Sequence, residues 1–124
     1  MISKSLILAL LGGVALALPG HAQTSYPLSL QNCGVDLTIE AAPDRAVTVG
    51  QAATEILYEL GLGERVKGTS VWFTDVLPEY AALNAEIPRL ADNDPSFEAV
   101  VAQRPDLVAV QYEWHIGPQG IVAT

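Results

Sequence analysis

The sequence predicts an α/β fold, a small parallel sheet flanked by helices, and three observations carry that prediction. Two short β-branched runs, Val47-Thr48-Val49 and Val66-Lys67-Gly68-Thr69, bracket a stretch with apolar residues at helical spacing, so residues 45–69 read as one strand–helix–strand unit. Gly50 cuts off the first strand, and Gly61 and Gly63 punctuate the helix end, where a left-handed residue is commonly needed. A third apolar run, Leu107-Val108-Ala109-Val110, follows a second helical stretch and reads as a buried parallel strand.

Residues 1–22 are set apart from the fold. Lys4 is the only charge before the apolar run 6–18, and Pro19-Gly20-His21-Ala22 supplies the small residues of a cleavage site. These are the parts of a secretory signal peptide, and the run is short for a membrane span, which needs roughly 20 apolar residues. The mature chain is expected to start near Gln23, to be exported to the periplasm and to insert nowhere in the membrane.

Residues 23–44 form an N-terminal extension. Tyr26, Leu28 and Leu30, then Val35, Leu37 and Ile39, alternate loosely on either side of Asn32-Cys33-Gly34, which predicts a hairpin. Ala41-Ala42-Pro43-Asp44 links this hairpin to the α/β unit, expected over 45–124.

Within that unit, Ala53, Ile56, Leu57 and Leu60 mark the buried face of the first helix, with Glu55 and Glu59 on its far side. Pro78 opens a short helix to about Asn84, and Ile87-Pro88-Arg89-Leu90 suits an edge strand because proline cannot donate to a ladder. Asp92-Asn93-Asp94-Pro95 is dense turn chemistry without the alternating ligand spacing of a calcium loop. Ser96 caps a helix carrying Phe97, Val100 and Val101, and Arg104-Pro105 stops it before the last strand. The tail 111–124 reaches no further element, so the lobe is expected to be incomplete.

The chain has 6 basic and 14 acidic residues, and removal of the leader leaves five basic ones and a net charge of −9. Nucleic acid and anionic membrane surfaces are poor partners for such a chain. No nucleophile–base pair, metal-ligand cluster or phosphate loop is visible, so an enzyme, for instance a secreted metal-dependent hydrolase, is disfavoured; neither a cofactor nor a resident metal site is expected.

In open α/β sheets, ligands sit beyond the carboxyl ends of the strands. That rule selects Gln51 after the first strand, Trp72 and Phe73 after the second, and Tyr112, Trp114 and His115 after the third as candidate ligand-binding residues. The aromatic rings offer large area with few rotors to freeze, or else pack beneath their loop. Gln51 suits donation to a ligand or to turn backbone equally. Tyr112 or His115 has the chemistry to ligate haem iron, with a solvated loop as the plainer reading, and neither Glu113 nor any other residue completes a spaced motif around the histidine.

Three segments together carry a family resemblance: Arg45-Ala46-Val47-Thr48-Val49 with Ala53-Thr54-Glu55-Ile56-Leu57; Leu60-Gly61-Leu62-Gly63-Glu64-Arg65-Val66-Lys67-Gly68; and Phe97-Glu98-Ala99-Val100-Val101-Ala102-Gln103-Arg104-Pro105-Asp106-Leu107-Val108. In this order and spacing the chain resembles the periplasmic substrate-binding proteins of ABC importers for iron-siderophore complexes, haem and cobalamin. The resemblance implies the N-terminal lobe of a bilobal receptor, truncated before the connecting helix and second lobe. It implies capture of a ferric-siderophore-type metal chelate for delivery to an inner-membrane ABC permease, with haem or cobalamin, or a non-functional remnant, as alternatives. It also implies that Glu98 docks into an arginine-lined pocket of the permease and that Cys33, the single cysteine, pairs with a cysteine of the missing lobe.

Overall fold

The computed structural model describes residues 24–32 and 34–115. The expected leader, Cys33 and the end of the tail from 116 onward lie outside the described residues. The chain divides into two compact units after Glu40, so residues 41–44 group with the α/β unit rather than with the N-terminal extension.

The first unit is the predicted hairpin. Strands β1 (Leu28–Asn32) and β2 (Val35–Ile39) pair antiparallel, with Leu28 opposite Ile39 and Leu30 opposite Leu37. Side chains alternate across a strand, so these apolar pairs share one face, while Ser29–Thr38 and Gln31–Asp36 share the other. Gly34 takes the positive φ of 79° that the tight connection requires.

The second unit is a four-stranded parallel sheet, in the order β5-β4-β3-β6. Its strands are β3 (Ala46–Val49), β4 (Val66–Ser70), β5 (Arg89–Ala91) and β6 (Leu107–Val110). Helix α1 (Gln51–Glu59) joins β3 to β4, and α2 (Ala81–Ala85) lies between β4 and β5. Helix α3 (Phe97–Ala102) joins β5 to β6. The edge strand starts later than the sequence suggested, because Pro88 contributes only its carbonyl, to Thr69 N–H.

Val47 and Val49 are fully buried on one face of β3, and Thr48 is fully buried on the other, as expected of a parallel strand covered on both sides. Val71 and Val100 complete the core cluster, against which Leu90, Val108, Val110 and Tyr112 pack. Ser96 caps α3 as predicted, its Oγ accepting from Ala99 N–H at 3.1 Å. Gly61 ends α1 with φ 71° and donates its N–H to Tyr58 O.

The buried face of α1 differs from expectation. Ile56 and Leu60 are exposed, and Thr54 and Tyr58 face inward instead. Thr54 Oγ1 lies 2.7 Å from Thr48 Oγ1 and donates to Gly50 O, which turns this edge of the helix to the sheet. Tyr58 follows one turn later, its ring 5.4 Å from that of Tyr80 and its hydroxyl donating to Asn84 Oδ1.

A candidate ligand-binding edge

The chain steps outward from β3 to β4 to β5 and then returns to place β6 on the other side of β3. The sheet direction of travel therefore reverses between β3 and β6, and a ligand crevice is expected beyond their carboxyl ends. Gly50 and Gln111 lie at that point. Gly50 N–H donates to Ser70 O, and Gln111 N–H donates to Val49 O, so both residues extend the sheet by one bond. Gln111 Oε1 accepts from Ala52 N–H in the first turn of α1, one of the donors a helix start leaves unpaired.

Gln51 acts as a buckle for the loop after β4. Its Oε1 accepts from the N–H groups of Phe73 and Thr74, while its Nε2 donates to Glu55 Oε1, Thr74 Oγ1 and Asp75 O. Of the two readings left open for this amide, the structure places it in the turn role. Glu55 adds a second tie by accepting from Leu77 N–H, which explains why it is half-buried rather than on the outer face of α1.

Trp72 likewise packs under the loop. It is 7% exposed, its indole N–H donates to Thr69 Oγ1, and the Arg89 guanidinium carbon lies 5.1 Å from its ring centroid. Such a cation–ring contact leaves Trp72 as the floor of the edge rather than a free stacking surface. Val71, the residue before it, takes φ 61°, an unusual conformation for a β-branched side chain and the point at which the chain turns off β4.

Four of the predicted residues come together. Phe73 meets Tyr112 edge-on at 6.3 Å between ring centroids, and Tyr112 stacks on Trp114 at 4.2 Å with 13° between the planes. Phe73 and Trp114, each packed against Tyr112, are 67% and 60% exposed. His115 belongs to the same cluster but faces inward, which corrects the expectation that it is open to a ligand. Its ring is buried, with Nε2 2.6 Å from Asp94 Oδ1, and not paired with the neighbouring Glu113. Among the described residues, no group of three His, Cys, Asp or Glu side chains comes within reach of one metal ion.

Arg89, which sequence reasoning passed over, is the only Lys or Arg at this edge among the described residues. It pairs with Asp92 at 3.3 Å and lines an open recess of about 430 Å³ with Trp72, Phe73, Thr74 and Asp75. A recess of about 410 Å³ at the amino ends of the strands is a weaker candidate, since its cations serve carbonyl groups. Arg45 donates to the Gln103 and Arg104 carbonyls at the end of α3, and Lys67 to Glu64 O. Glu98 is exposed in the first turn of α3 and has no hydrogen bond or ion pair among the described residues.

Comparison with known proteins follows the same outline. Residues 47–120 match the family model described as periplasmic binding protein. Over 84 residues, 67% of this chain, the sequence is 30% identical to YvrC of Bacillus subtilis (strain 168), named as an uncharacterised ABC transporter substrate-binding lipoprotein. The chain spans only 25% of that relative. Among solved structures, a periplasmic binding protein from Veillonella parvula DSM 2008 superposes with a TM-score of 0.64 at 27% identity, over 76% of this chain and 32% of its own. An ABC-type Fe3+-hydroxamate transport system protein from Saccharomonospora viridis DSM 43017 gives 0.55 at 28% identity, over 81% and 43%.

Proposed function

This chain belongs to the periplasmic binding protein family, and we propose that it is the N-terminal lobe of a receptor that captures a ferric-siderophore-type chelate and hands it to an ABC permease. The observation that carries the reading is the aromatic surface beyond the strand ends, in which exposed Phe73 and Trp114 flank half-buried Tyr112 and Phe73 also lines the recess that holds Arg89. Flat rings supply apolar contact to a chelate scaffold at small entropic cost. The guanidinium supplies directional donors to the anionic oxygens that such chelates carry. In an acidic chain, a cation in the recess that Phe73 lines gives the edge a preferred orientation for a ligand with one charged side.

The work done is binding rather than catalysis: the ligand settles against this edge, a second lobe covers it, and the closed receptor docks. Glu98 serves that last step, because a free carboxylate at a helix start is positioned to meet an arginine of the permease in a charge-assisted pair. Cys33 is assigned a disulfide to the second lobe. The location is extracytoplasmic, with residues 1–22 as the export signal; no helix among the described residues is long and apolar enough to cross a membrane.

The test is a fluorescence titration of the receptor with a ferric hydroxamate, a ferric catecholate, haem and cobalamin, following Trp114. Saturable quenching by one of the two ferric chelates is expected, weakened by Arg89→Ala. Saturation by haem or cobalamin alone replaces the siderophore assignment with one of these two, and silence towards all four ends the chelate reading.

A further inference from the structure

We propose that Asp94 is a positioning residue for the aromatic surface, acting through His115. The inference rests on the preceding reading only for its consequence in ligand capture; the geometry stands without it. Trp114 is 60% exposed, and among the described residues its aromatic neighbours are Tyr112, on which it stacks, and His115, whose ring centroid lies 5.5 Å away. His115 is therefore the inner anchor of the cluster, also 5.9 Å from Tyr112, and its own N–H closes the turn by donating to Tyr112 O.

The imidazole is 3% exposed, and among the described residues its Nδ1 has no hydrogen-bond partner. Nε2 thus depends on one bond, 2.6 Å to Asp94 Oδ1. Removing that acceptor leaves both ring nitrogens buried and without a partner among the described residues, a state that drives a polar group out to water. The ring that leaves takes with it the tilted contacts to Tyr112 and Trp114.

Asp94 is suited to fix the position because its own loop is fixed on both sides. Asp92 O accepts from Trp72 N–H, and Ser96 begins α3 two residues beyond Asp94. The bond therefore joins the loop after β6 to the loop after β5, across 21 residues of sequence. Asp94 itself is 72% exposed, so its truncation removes this acceptor and little packing.

The experiment is near-ultraviolet circular dichroism of the chain without ligand, with the Trp114→Phe spectrum subtracted to isolate the band from the Tyr112–Trp114 stack. Asp94→Ala is expected to lose most of that band while keeping the far-ultraviolet spectrum of the parent and a cooperative melt. Asp94→Asn, which keeps an oxygen to accept from Nε2–H, is expected to restore it. An unchanged band in Asp94→Ala overturns the proposal, as does a band that Asp94→Asn fails to restore. Both readouts are independent of chelate binding, so a failed titration leaves this inference standing and an unchanged band leaves the ligand reading standing.

Discussion

Gln111 lies so close over Gly50 that no side chain fits between them: a Cβ at Gly50 would collide with Gln111 Cβ and Oε1. The backbone there, at φ 128° and ψ 134°, is one that L residues rarely adopt. Gly50→Ala therefore meets strain twice, from its own dihedrals at about 1–3 kcal/mol and from the displaced end of β6. A loss of stability at the upper end of that range or beyond is expected in denaturant unfolding. Gln111→Ala keeps the Cβ but removes the acceptor on Ala52 N–H, and should cost only about 1 kcal/mol. Equal losses from the two changes would mean that the approach at Gly50 is not tight.

Tyr58 predicts an alkaline limit. Burial, and secondarily the charge on Glu55, push its hydroxyl up to about 12. The folded state thus favours the neutral phenol, and this contribution to stability is complete below the ordinary tyrosine value of about 10 and lost as pH rises towards the folded value. The melting temperature should fall between those limits, and less steeply in Tyr58→Phe. Tyrosinate absorbance should lose its latest-titrating component in the same variant. At neutral pH, Tyr58→Phe should cost about 0.5–1.5 kcal/mol for the bond to Asn84.

Asp106 predicts the acid side. The N–H groups of Asp44 and Arg45 donate to its carboxylate at 2.9 and 2.8 Å, and these bonds hold its pKa below the usual carboxylate range. A depressed folded value means that the stabilisation is present above the unfolded value of about 3.9 and disappears as pH falls through the folded one. Urea unfolding at a series of pH values from neutral to about 2 should show Asp106→Asn less stable at neutral pH and less sensitive to acid than the parent. Parallel curves for the two proteins would remove Asp106 from the acid response.

These residues also mark how far the fold was legible. Val47-Thr48-Val49 announced itself because a strand buried on both faces needs an uninterrupted apolar or β-branched run. Leu107-Val108-Ala109-Val110 is a strand as expected but not a buried one, because it lies at the sheet edge with Leu107 exposed and the rest half-buried. The Ser96 cap was legible because donor and acceptor are three residues apart. The rotation of α1 was not, because Thr54 reads as polar until Thr48 is placed opposite it. The aromatic candidates Phe73, Tyr112 and Trp114 were found from their positions after strand ends, but Gln111, Arg89 and Asp94 were not. Two of these act on partners far along the chain, 59 residues in the case of Gln111 and 21 for Asp94, brought near only by the return of the chain to β6. Arg89 pairs locally with Asp92, but what gives it a role is the Trp72 ring beneath it, on the neighbouring strand's loop.

Gln51 offers a test of the loop that carries Phe73. Five contacts of one amide hold residues 73–75, and Gln51→Ala removes all of them while leaving α1 with a good helix former. Amide hydrogen exchange at Phe73 and Thr74 should accelerate by at least tenfold in this variant, with the exchange of Val47 and Val49 little changed. Unaltered exchange at Phe73 would show that the loop is held by its other ties, Trp72 and the Glu55–Leu77 bond.

Glu98 separates capture from delivery. Its carboxylate is exposed, lies in the first turn of α3 and has no partner among the described residues to lose. Glu98→Lys should therefore cost the fold little beyond the unfavourable charge at a helix start, about 0.3–1 kcal/mol. In a complete receptor with its permease, the same change should leave chelate affinity within about twofold and reduce uptake at least tenfold, because an arginine across the interface would now face a like charge. Fluorescence titration and uptake measured on the same variant decide the matter. Affinity and uptake falling together would assign Glu98 to the ligand, and normal uptake would take it out of the docking surface.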